Sequence, residues 1–216
     1  MELVIGTKAW STWSLRPWLV IARTGAAFTE TLIPLRQEDN MTKAAILPHS
    51  PSGLVPVLKA DGLVLVDSLA ICEFLHERFP EAGLWPKDMG LRALGRSAAA
   101  EMHSGFGALR SECPMDLCAP PQDRQLSDAA HDNVRRIVQV WCDLLKRSGG
   151  PFLLGDWSIA DAFFTPVASR IRAYCIDLSA HGDSDGLAAG FSDRLLQTPE
   201  FLTWEAAARA QGLSGS

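Results

Sequence analysis

Three hydroxyl-bearing residues, Ser11, Thr12 and Ser14, stand together at the start of an apolar-periodic run, and an acid and hydroxyl pair, Asp67-Ser68, heads another. A helix start leaves backbone N–H groups unpaired and carries the positive end of the helix dipole, so hydroxyls gathered there can hold and stabilise an anion. The same residues can also serve only as helix caps. Between the two groups lies Val55-Pro56-Val57. A proline cannot donate to a strand ladder, so one placed just ahead of a strand serves another purpose. A cis bond that opens the Val55 backbone to a bound peptide would be such a purpose.

The elements that must position these residues are readable from pattern. Residues 1–5 form a short apolar run ending at Gly6, a first strand. Leu15, Trp18, Leu19 and Ala22 share one face of a helix that starts near Ser14, since Pro17 is tolerated only in a first turn, and that stops at Gly25. Residues 28–35 favour a second strand, and a polar stretch, 36–49, follows with a short helix near 42–47. Val57-Leu58-Lys59 and Leu63-Val64-Leu65-Val66 flank Asp61-Gly62 as a hairpin, and Ile71, Leu75 and Phe79 share one face of a helix capped by Asp67. A βαβ unit followed by ββα is a thioredoxin-like arrangement, here residues 1–79. Prolines and a glycine in 79–86 mark a linker, taken as 80–89, and residues 90–216 read as an all-helical domain. Its parts are a helix over 90–110, a long one with Val134, Ile137, Trp141 and Leu144 on its apolar face, and a central one opened by Ser158 and Asp161 at capping-box spacing. Last come a helix carrying Phe201 and Trp204 and a frayed tail, 212–216. The fold class is α/β for the first domain and all-α for the second.

The 216 residues carry a formal net charge of -5 without a dense Lys/Arg run, so no nucleic-acid partner is expected. No apolar stretch is long enough to span a bilayer and the first ten residues are not a secretory leader, which predicts no membrane partner and a cytoplasmic location. Five cysteines, an odd number without a C-x-x-C pair or metal-ligand spacing, fit free thiols and no metal site.

The order bend, Val-Pro, hairpin, acid-Ser, helix resembles the glutathione-binding half of the glutathione transferases. The Ser-x-x-Asp box resembles the one that begins the central helix of their second domain, so the resemblance covers nearly the whole chain. Within the superfamily, Ser11-Thr12-Trp13-Ser14-Leu15-Arg16 is similar to the Ser-Ser-Cys-x-Trp-Arg signature of the zeta-type and related bacterial branches, with Trp13 in place of the cysteine. The resemblance implies glutathione as co-substrate. Val55 with Pro56 would hold its cysteinyl part through the backbone, and Asp67 and Ser68 its γ-glutamyl end. It also implies a serine-type mechanism, in which a hydroxyl donates to the sulfur and favours the thiolate. A free thiol has a pKa of about 8.5, and each unit of lowering is worth about 1.4 kcal/mol. Ser11, Thr12 and Ser14 all stand as candidates for that hydroxyl. Tyr174, the one tyrosine, lies far from the first strand, which excludes a tyrosine-type mechanism, and no cysteine precedes Cys72, which disfavours a disulfide reductase.

One usual contact is missing. Many relatives carry Lys or Gln before the Val-Pro pair to hold the glycine end of glutathione; here the residue is Leu54, with Lys43 and His49 as substitutes. A small electrophilic substrate is expected over the sulfur, walled by Trp10, Trp13, Met102, His103 and Phe106. Arg172 lies near where zeta-type isomerases carry an arginine for an acidic substrate. The family also implies a homodimer. The expected function is thiolate attack on a small electrophile, ending in a conjugate or in isomerisation of the maleylacetoacetate type, with peroxide reduction not separable from these. A non-catalytic binding or assembly protein on the same fold is the alternative, favoured by Leu54 and Trp13.

Overall fold

The computed structural model describes residues 1–38 and 40–213. Strand β1 (Glu2–Gly6) runs parallel to β2 (Thr29–Ile33), and a parallel pair needs a crossover, which α1 (Thr12–Arg23) supplies. After the short α2 (Met41–Ile46), β3 (Val57–Ala60) and β4 (Leu63–Val66) form the hairpin. They complete a mixed sheet of order β2-β1-β3-β4, in which Val4 faces Val57 and Val57 faces Val66. At the hairpin tip Asp61 and Gly62 take φ of 52° and 79°, the left-handed pair that a two-residue turn favours. Helix α3 (Ser68–Arg78) then returns with Ile71, Cys72 and Leu75 fully buried.

The rest is helical: α4 (Met89–Ser104), α5 (Gly107–Glu112), α6 (Asp128–Ser148), α7 (Ile159–Ala173), α8 (Leu187–Leu196) and α9 (Pro199–Leu213). The expected capping box forms at α7. Ser158 donates from both N and Oγ to Asp161 Oδ2, each at 2.8 Å, and Leu153 N donates to Oδ1 at 3.1 Å. The tail expected to fray is helical as far as Leu213, and 214–216 lie outside the described residues.

The helix expected over 90–110 is in fact two. Gly105 leaves the helix in an extended conformation and Phe106 is left-handed, with φ 58°. A side chain at Gly105 would sit 2.7 Å from the carbonyl oxygen of Glu101, so the break requires glycine there.

A thioredoxin-like N-terminal domain and a helical C-terminal domain thus share one continuous hydrophobic core, and α1 is the seam between them. Leu15, Val20 and Ile21 of α1 are fully buried, and Trp18 meets Trp204 of α9 edge-on at 5.3 Å. The loop that delivers Ser11 is clamped by the C-terminal domain: Trp204 Nε1 donates to Lys8 O at 3.0 Å and Leu117 N to Ala9 O at 3.2 Å. Among the described residues no helix is long and apolar enough to cross a membrane.

Candidate functional site

Two cavities meet at Trp13, at the start of α1. The first, of about 350 Å³, runs between the domains. Asp67, Ser68 and His103 line one end, Val55, Pro56 and Val66 the middle, and Ser52 and Leu54 the other end. The Val55-Pro56 bond is cis. Asp67 caps α3 with one carboxylate oxygen, Oδ1 accepting from Leu69 N at 2.8 Å and Ala70 N at 3.2 Å, while Oδ2 lies 3.1 Å from Nε2 of His103 on α4. Ser68 is 1% exposed, and its Oγ has no hydrogen-bond partner among the described residues. Buried polar groups are normally paired, so an orphaned hydroxyl in a cavity wall at a helix start points to a ligand group.

The second cavity, of about 490 Å³, is lined by Trp10, Thr12, Trp13, Arg36, Gly107, Arg110, Ser111, Pro114, Met115 and Arg170. Three guanidinium groups face it, and no carboxylate is among the described residues that line it. Arg170 is buried; Nε donates to Cys113 O at 2.8 Å and Nη1 to Pro166 O at 3.1 Å, which fixes the fork in place. Burial first, and then the charge of Arg110, pushes Arg170 down to about 10, still cationic at neutral pH. Burial also lowers Arg110, whose Nη1 donates to Gly105 O at 3.2 Å. Arg36 lies over the Trp10 ring at 4.4 Å.

Trp13 is the partition. Arg16 and Arg110 lie over its ring at 4.4 and 4.8 Å from the centroid, and His103 meets it edge-on at 5.2 Å. Arg16 is 1% exposed, and its Nε and Nη1 have no partner among the described residues. Burial, then repulsion from Arg110 and Arg170, pushes Arg16 down to about 9. A concentration of buried positive charge therefore stands directly behind the wall that separates the two cavities.

The three hydroxyls are sorted by depth. Ser14 is fully buried and its Oγ accepts from Gly6 N at 3.1 Å, which ties α1 to the end of β1. Ser11 is the N-cap; its Oγ accepts from Ser14 N at 3.4 Å and donates to Ser14 Oγ at 2.8 Å. Thr12 faces the arginine-lined cavity.

A family model, the glutathione S-transferase N-terminal domain, matches residues 10–78. The chain is similar to "Glutathione S-transferase 1" of Dianthus caryophyllus, 29% identical over 183 residues that cover 83% of this chain and 81% of that one. It is also similar to "Probable maleylacetoacetate isomerase 1" of Drosophila melanogaster, 34% identical over 61% of this chain and 53% of the relative. A crystal structure of a glutathione transferase homolog from Burkholderia GL BGR1, with bound glutathione, shares the fold with a TM-score of 0.74 at 23% identity, covering 97% of this chain and 98% of that one. Residues 10–78 thus carry a glutathione S-transferase N-terminal domain.

On this scaffold two sets of the residues singled out from sequence line the cavities, while Ser11, buried at the cap next to Thr12, lines neither. Val55, Pro56, Asp67, Ser68, Trp13 and His103 come together in the first cavity, and Trp10, Thr12 and Trp13 in the second. His103, expected against the electrophile, instead reaches Asp67. Ser14 is withdrawn: it is fully buried, and its Oγ is held by Gly6 N–H. Met102 is fully buried and Phe106 nearly so, and neither lines these cavities: Met102 lies on the core side of α4, and the break at Gly105 redirects Phe106. His49 is turned onto Lys59, with Nδ1 3.0 Å from Nζ, and Lys59 in turn approaches Glu2; it does not line the first cavity. Lys43 is exposed, its stem passing beside Gly53 at the rim. Arg172 pairs with Glu205 of α9 and is directed away.

Arg170 takes the place expected for Arg172. Residues 159–170 of α7 are all buried, so no amphipathic spacing marked Arg170, whereas Arg172 lies beyond that stretch and is exposed. Arg36 gave no signal either, since it sits in an irregular polar stretch with φ 60°.

Proposed function

We propose that this protein binds glutathione in the first cavity and directs its thiolate at a small, carboxylate-bearing electrophile held in the second. Isomerisation of the maleylacetoacetate type is the reaction that the site suits best. The observation that carries this reading is the pair of cavities joined at the start of α1, one offering an orphaned hydroxyl at a helix terminus and the other three guanidiniums without a carboxylate. The names of the relatives point the same way.

In this reading the γ-glutamyl carboxylate takes Ser68 Oγ at the positive end of the α3 dipole, and the α-ammonium takes Asp67. The Val55 backbone aligns the cysteinyl residue, which brings the sulfur to the start of α1. Ser11 then donates its hydroxyl proton to the sulfur. Its rotor turns from Ser14 Oγ, and Ser14, held by Gly6 N–H, donates to Ser11 in exchange. The buried charge of Arg16 behind Trp13 adds to the preference for thiolate.

The thiolate attacks the alkene carbon conjugated to a carbonyl, a C–S bond forms, and the π electron pair moves to the carbonyl oxygen. Arg110 and Arg170 fix the carboxylates and stabilise the enolate. Rotation about the carbon–carbon bond that was the alkene, followed by return of the electron pair and expulsion of the thiolate, releases the isomer. Protonation of the enolate carbon instead leaves a conjugate. The replacement of cysteine by Trp13, which favoured a non-catalytic role, is accounted for by its place as the wall between the cavities.

The finer organisation is also part of the proposal: residues 1–79 and 90–216 as domains about a linker at 80–89, and a cytoplasmic homodimer. Exposed Leu63 and Val64 on the edge strand β4, with Met89 and Leu94 on α4, support such an interface. The test of the function is titration with glutathione while the ultraviolet absorbance of the bound thiolate is followed against pH. Ser11→Ala should raise the apparent thiol pKa by about one unit, the worth of one hydrogen bond to a charged group. Absence of glutathione binding at millimolar ligand would overturn the reading.

A further inference from the structure

The first cavity is chemically lopsided. One end carries what a zwitterionic γ-glutamyl group needs: the Asp67 carboxylate and the unpartnered Ser68 hydroxyl at the head of an eleven-residue helix. The far end carries Ser52 and Leu54, and no Lys or Arg is among the described residues that line any part of it. Leu54 is 69% exposed. Its backbone N–H is already committed to Ser52 Oγ at 3.3 Å, and Ser52 Oγ lies 2.9 Å from Ser50 Oγ, so one hydroxyl proton of this pair is left as the turn's neutral donor. Of the surrounding basic residues, Lys59 and His49 hold each other, Arg36 stacks on Trp10 beside the other cavity, and Lys43 is exposed at the rim, its stem beside Gly53.

A peptide anchored by its γ-glutamyl end therefore meets Leu54 and a serine hydroxyl, with no cation in the lining, where its C-terminal carboxylate arrives. A neutral hydroxyl serves an ester or amide carbonyl as it serves a carboxylate, whereas only a cation would favour the charged group. We propose that the site recognises the γ-glutamyl-cysteinyl part alone, so that thiols of this class with an esterified, amidated or extended glycine end are accepted about as well as glutathione. Leu54 sets that breadth. This rests on the glutathione reading above and specifies which part of the co-substrate is read.

Calorimetry on the full chain with glutathione and with its glycyl monoethyl ester tests it. The two dissociation constants should agree within about two-fold, since no Lys or Arg contact, worth roughly ten-fold or more, is lost on esterification. Leu54→Lys should make the protein discriminate in favour of glutathione by about three-fold, the size of an exposed ion pair. Wild-type binding of glutathione ten-fold tighter than the ester, with the difference abolished by Lys43→Ala, would overturn this inference and leave the transferase reading intact. Binding of neither thiol would overturn both.

Discussion

Substituting Ser68 by alanine should move stability and affinity in opposite directions. As a structural cap, Ser68 would be redundant, because Asp67 Oδ1 already takes Leu69 N at 2.8 Å and Ala70 N at 3.2 Å. As a buried hydroxyl without a partner among the described residues, it costs the free protein about 1 kcal/mol or more, the desolvation of an unpaired polar group. It also stands at the first residue of α3, where alanine is the better helix former by about 0.5 kcal/mol. Ser68→Ala should therefore leave the ligand-free protein as stable as wild type or more stable by about 1 to 2 kcal/mol. Glutathione binding should fall, because a hydrogen bond to a carboxylate is worth about 1.5 to 3 kcal/mol, or roughly 10- to 150-fold in dissociation constant. Urea denaturation without ligand reads the first quantity and calorimetric titration the second. A variant that lost stability while binding glutathione as well as wild type would show that Ser68 belongs to the framework, and the assignment of the γ-glutamyl end would fall.

Two further outcomes are expected. Arg110→Met should raise KM for a carboxylate-bearing electrophile by about 10-fold or more while changing that for an uncharged aryl chloride by less than about 3-fold, read from initial rates at saturating glutathione; equal losses for both would remove the anion-binding role. Burial pushes the Asp161 carboxyl up to about 6, so the folded state keeps its proton longer than the unfolded chain does. The stability this contributes is whole below about pH 4 and is lost as pH rises to about 6, by about 3 kcal/mol. Urea midpoints between these values should decline for wild type more steeply than for Asp161→Asn, and parallel slopes would refute the assignment.

Much of the fold was legible because its signals are local. The Asp61-Gly62 turn, the Asp67 cap, the Ser158 and Asp161 box and the glycine stops each depend on a few neighbouring residues and survive whatever packs around them. The first cavity was legible for the same reason, since Val55, Pro56, Asp67 and Ser68 lie close in the chain and in strand-to-helix order. The second cavity was read poorly because its walls come from four separate places: the loop before α1, the polar stretch after β2, the region of α5, and α7. Gly105 decides where α5 points. One glycine, needed because a side chain would strike Glu101 O, turns Arg110 toward Trp13 and Phe106 away from the cavities. A pattern of apolar spacing carries no information about such a break.

The depth order of Ser11, Thr12 and Ser14 shows how a cluster unranked by sequence becomes ranked by tertiary contact. All three share the helix-start environment, and nothing in their spacing separates them. Ser14 is drawn inward because Gly6, at the end of β1, has an N–H that needs an acceptor, and a side chain at Gly6 would begin 2.6 Å from Cδ1 of Leu35, which would have to shift. Ser11 is then left one hydrogen bond from Ser14 and poised at the cap, while the clamp of Trp204 on Lys8 O fixes the loop that carries it. Thr12, the next residue, turns to the arginine-lined side. The division of labour among the three follows from one backbone N–H in a strand and one tryptophan from the far end of the chain.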